Sequence, residues 1–449
     1  DELLANFVAE RDLLHEISPG VPVTTNVMVM AATKDMDYWS WAQEMDVVSN
    51  DHYPIAADPD NHRELAFSAD LTRGLAGGRP WLLMEQATSA VNWQPRNIVK
   101  RPGELLRNSL QHVARGADAI LFFQWRASRS GAEKFHSAML PHAGTSSRVW
   151  REVAALGKAL GRLGELRGSR AQAQVAILWD WESFWAQDLE WRPSEDLSHR
   201  ERISAFYDRL WRDGLTTDFA HPEQDLSRYR LVIAPASYLL TRASAANLAR
   251  YVAGGGTVLV SCFSGIVDEH DAVHPGGFGA ALRTVLGLTV EEFLPLRRGE
   301  IVHLDTGDLV GDVWADDLAL EGADVVGSFL DGPAAGQPCL TRHRHGAGHG
   351  WYLATRIDVA GLAEILRPVY LDAGIGLSGL PEELEVVVRH GPRADYTVAI
   401  NHGTAAAVVP GPGEDLLTGE GSTTSFAVAP GGARVVRAER DARDGFVGR

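Results

Sequence analysis

A short apolar run followed by a helix-patterned stretch recurs four times between residues 21 and 166, and this alternation constrains the fold more than any other feature of the chain. An opening helix comes first: residues 2–17 (ELLANFVAERDLLHEI) place Leu3, Leu4, Phe7, Val8, Leu13, Leu14 and Ile17 at close to helical spacing. Pro19-Gly20 stops it. The run VPVTTNVMVM reads as a strand, residues 37–45 as a helix, and DVVSNDHYP as a strand that ends in polar groups. Residues 62–76 are helical, WLLMEQ is the next strand, and residues 102–115 form a helix with Pro102 near its first turn. AILFFQW and a final helix over residues 148–166 close the series. Strands joined through helices pair in parallel, which predicts an α/β layer. Four units do not close a barrel of eight, so residues 1–167 read as the second half of such a barrel, with the first half absent from the sequence.

The alternation continues over residues 171–375 as a doubly wound pattern. AQVAILWD, a helix near 199–213, RLVIAP, a helix near 242–253 and GTVLVS follow one another, with Gly254-Gly255-Gly256 turning the chain before the last. CLTRHRHGAGHGWYLATR reads as a hairpin whose glycines supply the turn. The period then changes to two. LEVVVRH, DYTVAINH, AAAVVP and TTSFAVAPGGARVVRA predict a small antiparallel β-sandwich over residues 382–438, and residues 439–449 a frayed charged tail.

At 449 residues and 45% apolar, the chain can bury a substantial core. Its formal charge of −17 argues against nucleic acid or an anionic membrane as partner. No apolar stretch reaches the ~18 residues of a membrane span, and no signal peptide opens the sequence. Two cysteines, Cys262 and Cys339, exclude a disulfide framework and a four-cysteine zinc site and suit a reducing, cytoplasmic compartment.

Strand ends of a parallel barrel form its active face. Here WLLME ends in Glu85, the preceding strand ends at Tyr53, and AILFFQW ends in Trp125 and Arg126. With Trp93, Glu133 and His136 these residues read as a sugar site: a carboxylate, flat faces for stacking, and partners for hydroxyls. Tyr53 can donate a hydrogen bond to Glu85 or can pack before Pro54; both readings stand. Glu133 and His136 are spaced i, i+3 and face the same way on a helical turn. The metal sites that use this spacing need it twice with two further carboxylates, so no metal is expected. Trp93 lies in the polar loop NWQPRN, which favours stacking on a sugar. Trp125 fits stacking and core equally well, and Arg126 can pair with a carboxylate of the site or its rim. Trp179, Trp181, Trp185 and Trp191 crowd DWESFWAQDLEW and suggest a subunit interface over an ordinary core. Cys262 lacks the flanking glycines of a nucleophile turn and reads as a packed thiol. His343, His345 and His349 alternate with glycines, as a solvated hairpin does, rather than forming a metal site with Cys339.

The runs LLMEQATSAVNWQPRN and GADAILFFQWRASRSGAEKFHSAMLPHAG closely resemble glycoside hydrolase family 42, the β-galactosidases. So do VPVTTNVM, MDVVSNDHYP, VSCFSGIVDEHD and GHGWYLATR, in the family's order. The resemblance implies a TIM-barrel catalytic domain, a glutamine-amidotransferase-like middle domain, a C-terminal β-sandwich and a homotrimer. It implies a retaining double displacement without a cofactor, in which two carboxylates stand roughly 5–5.5 Å apart. Glu85 matches the nucleophile at barrel strand seven, Glu133 and His136 the groups that hold galactose hydroxyls, and Trp93 the aromatic wall. The expected substrate is a small β-galactoside with a terminal non-reducing galactose. The family's acid/base is a Glu preceded by Asn, and no Asn-Glu pair occurs in this sequence. The chain therefore reads as a fragment that lacks its acid/base and is inactive alone. A non-catalytic sugar-binding or assembly protein is the rival reading.

Overall fold

Strands and helices of the first unit alternate as the apolar spacing requires. The computed structural model describes residues 2–29, 33–189 and 191–440. The chain divides into two units, residues 1–172 with 379–449, and residues 173–378. In the first, α1 (Glu2–Ile17), β1 (Asn26–Val27), α2 (Tyr38–Glu44), β2 (Ser49–Asp51), α3 (Asn61–Leu75), β3 (Trp81–Glu85), α4 (Glu104–Ala114), β4 (Ala117–Ile120) and α5 (Arg148–Arg162) follow in order. The four strands make one parallel sheet, β1-β2-β3-β4. Asp37 caps α2 by accepting the Trp39 and Ser40 N–H groups, and Ser147 caps α5 through the Trp150 N–H. Gly116 makes the turn into β4 at φ +109°, where a Cβ would meet the Trp81 ring at 3.2 Å.

Several boundaries differ from the sequence reading, and the strand expected over DVVSNDHYP shortens to Ser49–Asp51. The strand expected over VPVTTNVMVM pairs only at Asn26–Val27, and Met30 lies outside the described residues. Before it, side chains replace the ladder: the Val23 N–H donates to Asp46 at 2.6 Å and the Thr24 hydroxyl to the Val47 carbonyl at 2.6 Å. The strand expected over AILFFQW starts earlier, at Ala117, and stops at Ile120, so Leu121 to Trp125 leave the sheet. The helix expected to run to residue 166 ends at Arg162, and Gly164–Leu166 continue as a tighter turn.

The C-terminal β-region belongs to this unit. Its six-stranded sheet includes Leu384–His390, Ala394–Asn401 and Ala433–Glu439, and recruits Arg170–Ala171 at one edge; Ala407–Pro410 pairs separately with Ser425–Val428. Leu110, Val113, Leu163 and Leu166 pack with Val387, Tyr396 and Val398 in one apolar cluster. Buried charges cross the same seam. Arg73 and Arg115 both bind Asp70, and Arg115 also donates to Glu385 at 2.9 Å. Arg389, on the same strand face as Glu385, donates to Asp118 at 2.7 Å and to the Val113 and Ser169 carbonyls. Of the expected tail, Glu439 still belongs to the last strand, and residues 441–449 lie outside the described residues.

The second unit carries a seven-stranded sheet. Val175–Leu178, Thr217–Ala220, Leu231–Ala234, Thr257–Ser261 and Gly348–Leu353 run parallel, and Pro338–His345 forms the expected hairpin with the last of them. At Gly256 a Cβ would sit 2.3 Å from the Tyr251 ring, which restricts this turn to glycine. An antiparallel sheet of Leu288–Pro295, Ile301–His303, Val310–Leu320 and Thr355–Ile357 was not legible, because acidic residues interrupt its apolar alternation. The short helix Trp181–Gln187, capped by Asp180, was not foreseen either.

Candidate active site

A β-bulge decides where Glu85 points. Ser49 pairs with Leu82 and Asn50 with Leu83, then the register slips so that Asp51 pairs with Glu85. Paired residues share a sheet face. Asn50 and Leu83 face the helices: the Asn50 amide donates to Ser68 on α3 at 3.0 Å, and Leu83 is fully buried. Strict alternation would put Glu85 on that side too. The extra residue, Met84, returns it to the face that carries Asp51 and Tyr53.

On that face the Tyr53 hydroxyl donates to the Glu85 carboxylate at 2.5 Å, and the His52 N–H holds the Glu85 carbonyl at 2.9 Å. Burial and the bond to Glu85 push the Tyr53 phenol up, so it remains a proton donor. The Asn26 amide donates to one oxygen of Asp51, while the other, Oδ1, is buried without a partner. Burial, reinforced by the charge of Glu85, raises Asp51 to about 6 against the pull of Asn26.

Two loops complete the group. Trp93 meets the Tyr53 ring edge-on at 5.7 Å, and His136 meets Tyr53 at 5.9 Å and Phe123 at 5.0 Å. The Asn92 amide nitrogen donates to the Ala132 carbonyl at 3.0 Å, which turns its oxygen toward His136 Nδ1, also at 3.0 Å. That bond assigns a hydrogen to Nδ1, while Nε2 is buried with no geometric hydrogen bond among the described residues. Burial lowers the His136 pKa, and the charge of Glu133, the Phe123 backbone and the charge of Glu85 oppose it. Glu133 is exposed on the turn Ala132–Phe135, a 3₁₀ helix whose i and i+3 positions eclipse, and the His136 N–H bonds the Glu133 carbonyl at 2.9 Å. Below, the buried Lys100 ammonium donates to the Ala87 carbonyl at 2.7 Å and fixes the chain just after Glu85.

Tyr53, Glu85, Trp93 and His136 are thus brought together, with Glu133 close enough to act on His136 electrostatically. Trp125 and Arg126 are not part of that group: Trp125 is 64% exposed against Trp150, and Arg126 is exposed where its backbone bridges to Leu140. Sequence reasoning missed Asn26, Asp51, Asn92, Lys100 and Phe123. The polar strand end SND was the only signal for Asp51; nothing local marks Lys100 as buried.

Elsewhere, Cys262 is fully buried, which pushes its thiol well up. His343 donates to the Val285 carbonyl and His349 meets Arg342, and no group of three or more His, Cys, Asp or Glu side chains gathers as a metal site among the described residues. Trp179 and Trp181 are buried against each other, whereas Trp185 is 40% and Trp191 97% exposed. Among the described residues no helix is long and apolar enough to cross a membrane.

Comparison with known proteins places this geometry. Residues 1–163 match a model described as β-galactosidase, residues 173–376 the β-galactosidase trimerisation domain, and residues 383–438 the β-galactosidase C-terminal domain. A β-galactosidase of an Arthrobacter species is 49% identical over 91% of this chain and 59% of its own length. The crystal structure of a β-galactosidase from Bacillus circulans sp. alkalophilus superposes with a TM-score of 0.92 at 36% identity, covering 97% of this chain and 66% of that one. That of the β-galactosidase from Rahnella sp. R3 gives 0.91 at 31% identity, covering 98% and 67%. The chain spans 59% to 60% of the length of the first curated relatives it matches.

Proposed function

The chain belongs to glycoside hydrolase family 42, the β-galactosidases, and on that premise we propose that Glu85 is the nucleophile of a retaining β-galactosidase acting on small β-galactosides. In the first step a Glu85 carboxylate oxygen attacks the anomeric carbon. The glycosidic bond breaks, and the leaving oxygen takes a proton from a second carboxyl group in its acid form, which becomes a carboxylate. Water, deprotonated by that same group, then attacks the anomeric carbon and frees Glu85. Tyr53 holds the attacking carboxylate rigid, the His136 lone pair and Glu133 accept from sugar hydroxyls, and Trp93 covers the apolar face of the ring. Trp125 and Arg126 line the rim where an aglycone would leave. The acid/base comes from residues outside this sequence, in the part of the relatives' length that the chain does not span. The chain alone is then nearly inactive, and a complementing piece bearing an Asn-Glu pair restores hydrolysis.

The observation that carries this reading is the bulge-set Glu85 with the Tyr53 hydroxyl 2.5 Å away. A 2-deoxy-2-fluoro-β-galactoside with a dinitrophenolate leaving group tests it, because that leaving group needs no acid. Intact mass should rise by one fluorogalactosyl group, and peptide mapping should place it on Glu85. Saturable sugar binding with no covalent adduct would instead favour the sugar-binding rival.

The same reading makes the protein a cytoplasmic homotrimer assembled through residues 173–376, with Trp185 and Trp191 at the contact. The double substitution W185A/W191A should raise the monomer fraction in size-exclusion chromatography. An unchanged assembly removes these tryptophans from the interface.

A further inference from the structure

A cavity of about 690 Å³ opens in the first unit, and Glu85 does not line it. Its walls are the loop after β2 (Ala56 to Asp60), the first turns of α3 and α4, and the edge of the C-terminal β-region at Glu383, His402 to Thr404 and Gly431. The volume falls within the roughly 300–1,000 Å³ of small-molecule pockets. The cavity is built rather than accidental. Arg107 donates to the Gly431 carbonyl at 2.8 Å and so ties α4 to the β-region, and His62 stacks on His402 at 4.1 Å. His402 is in turn anchored to the buried Glu385 at 2.9 Å.

The wall chemistry selects a ligand class. Asp58, Asp60, Glu104 and Glu383 outnumber Arg101 and Arg107, and burial together with His402 holds His62 neutral by lowering it to about 3, so an anion meets net repulsion. A metal ion would meet two guanidinium groups, and no metal-like cluster occurs among the described residues. The side chains that remain suit a neutral, hydroxyl-rich molecule: carboxylates accept from hydroxyls, guanidinium and amide N–H groups donate to them. Asn108 is 95% buried on this wall, and its amide nitrogen has no partner among the described residues. Ile98 and Val99, both largely exposed, add an apolar strip for the C–H face of a ring.

We propose that this cavity is a second binding site for a neutral saccharide, distinct from the Glu85 group and independent of whether Glu85 is a nucleophile. One segment joins the two places. Tyr53 bonds Glu85, Pro54 and Ala56 are both held by the Gln94 side chain, and Ala56 to Asp58 line the cavity.

Calorimetric titration of the full chain with lactose, before and after saturation with the fluorogalactoside, tests the proposal. Lactose binding that survives saturation, and that T404W and N108L each weaken at least tenfold, is the expected result. Thr404 is exposed on a β-region loop, so T404W fills the mouth without touching the core, and it carries the test if N108L fails to fold. If the fluorogalactoside leaves Glu85 unlabelled, the catalytic reading fails, and the two variants still decide the cavity by titration alone. Lactose binding that vanishes on labelling, lactose binding unmoved by T404W, or saturable binding of inorganic phosphate or spermine in place of lactose would each overturn it.

Discussion

Two parallel sheets in this chain end in opposite ways. In the first unit the strand ends deliver Asn26, Asp51 and Glu85 to one face, and Asp51 Oδ1 there has no partner among the described residues. In the second unit the matching strand ends deliver Ala236, Cys262 and Phe263. Two backbone groups there are held by serine hydroxyls: the Ala236 N–H by Ser261 at 2.8 Å, and the Ser237 N–H by Ser264 at 2.9 Å. Phe263 then packs on Trp314 at 5.0 Å and Phe293 at 5.4 Å. The architecture is shared; what differs is the chemistry at the strand ends, carboxylates and a phenol in the first unit against hydroxyls, a thiol and aromatic rings in the second. A shared fold does not carry a shared function; the groups placed on it do.

The sharpest way to break the comparison is to substitute one residue from each edge. E85Q should remove fluorogalactoside labelling and, in the complemented protein, lower turnover by roughly a thousandfold or more. C262A should leave both unchanged. Labelling that survives E85Q, or falls in C262A, would mean that the wrong sheet has been given the chemistry.

Stability separates the units by a different route. Arg115 bridges Asp70 and Glu385, and all three are buried. R115A takes one of two guanidinium partners from Asp70 and leaves Glu385 with His402 and Gln111, a loss on the order of 3–5 kcal/mol. Its partners hold the Glu385 pKa below the usual carboxylate range despite burial, Arg115 first among them. Because the folded value is depressed, Glu385 contributes stability above its unfolded pKa, and that contribution is lost as pH falls through the folded value. Acid unfolding of the first unit should therefore shift to higher pH in R115A. An unmoved denaturant midpoint for R115A at neutral pH would remove the bridge from the stability argument.

Asp316 in the second unit should behave with the opposite sign. Burial raises it to about 7, although Trp314 donates to it at 2.7 Å and Tyr352 at 2.8 Å. An acid whose folded pKa lies above its unfolded one stabilises the fold while protonated. Stability then declines as pH rises from about 4 through about 7. D316N cannot ionise, so its melting temperature relative to the parent should climb across that window, by up to a few kcal/mol in stability, and level off above it. A difference independent of pH would mean that Asp316 is ionised throughout.

How much of this was legible follows one physical line. The four strand–helix units, the hairpin around Gly346 and the two-residue period after 382 were readable because apolar spacing is local. Glu85 was readable because it closes an apolar run. The bulge at Met84 was not, since alternation alone would send Glu85 toward the helices. Nor was the fusion of the β-region to the helix layer through Glu385 and Arg389, two charged residues in an apolar strand that read as solvated until their partners more than 200 residues away are known. Trp125 ended a readable strand, yet the regular strand stops at Ile120 and the Trp125 ring is largely exposed against Trp150.

The finest test lies within the polar edge itself. Y53F keeps the ring that meets Trp93 and His136 and removes only the hydroxyl that donates to Glu85. A hydrogen bond to a charged group contributes about 1.5–3 kcal/mol. If Tyr53 holds the carboxylate for attack, the fluorogalactoside labelling rate should fall roughly 10- to 100-fold, while the dissociation constant for methyl β-galactoside changes little. Burial keeps the phenol protonated in the parent, so its labelling rate should show no step from Tyr53 ionisation between neutral pH and pH 9. If Y53F weakens sugar binding as much as it slows labelling, Tyr53 shapes the pocket and does not position the nucleophile.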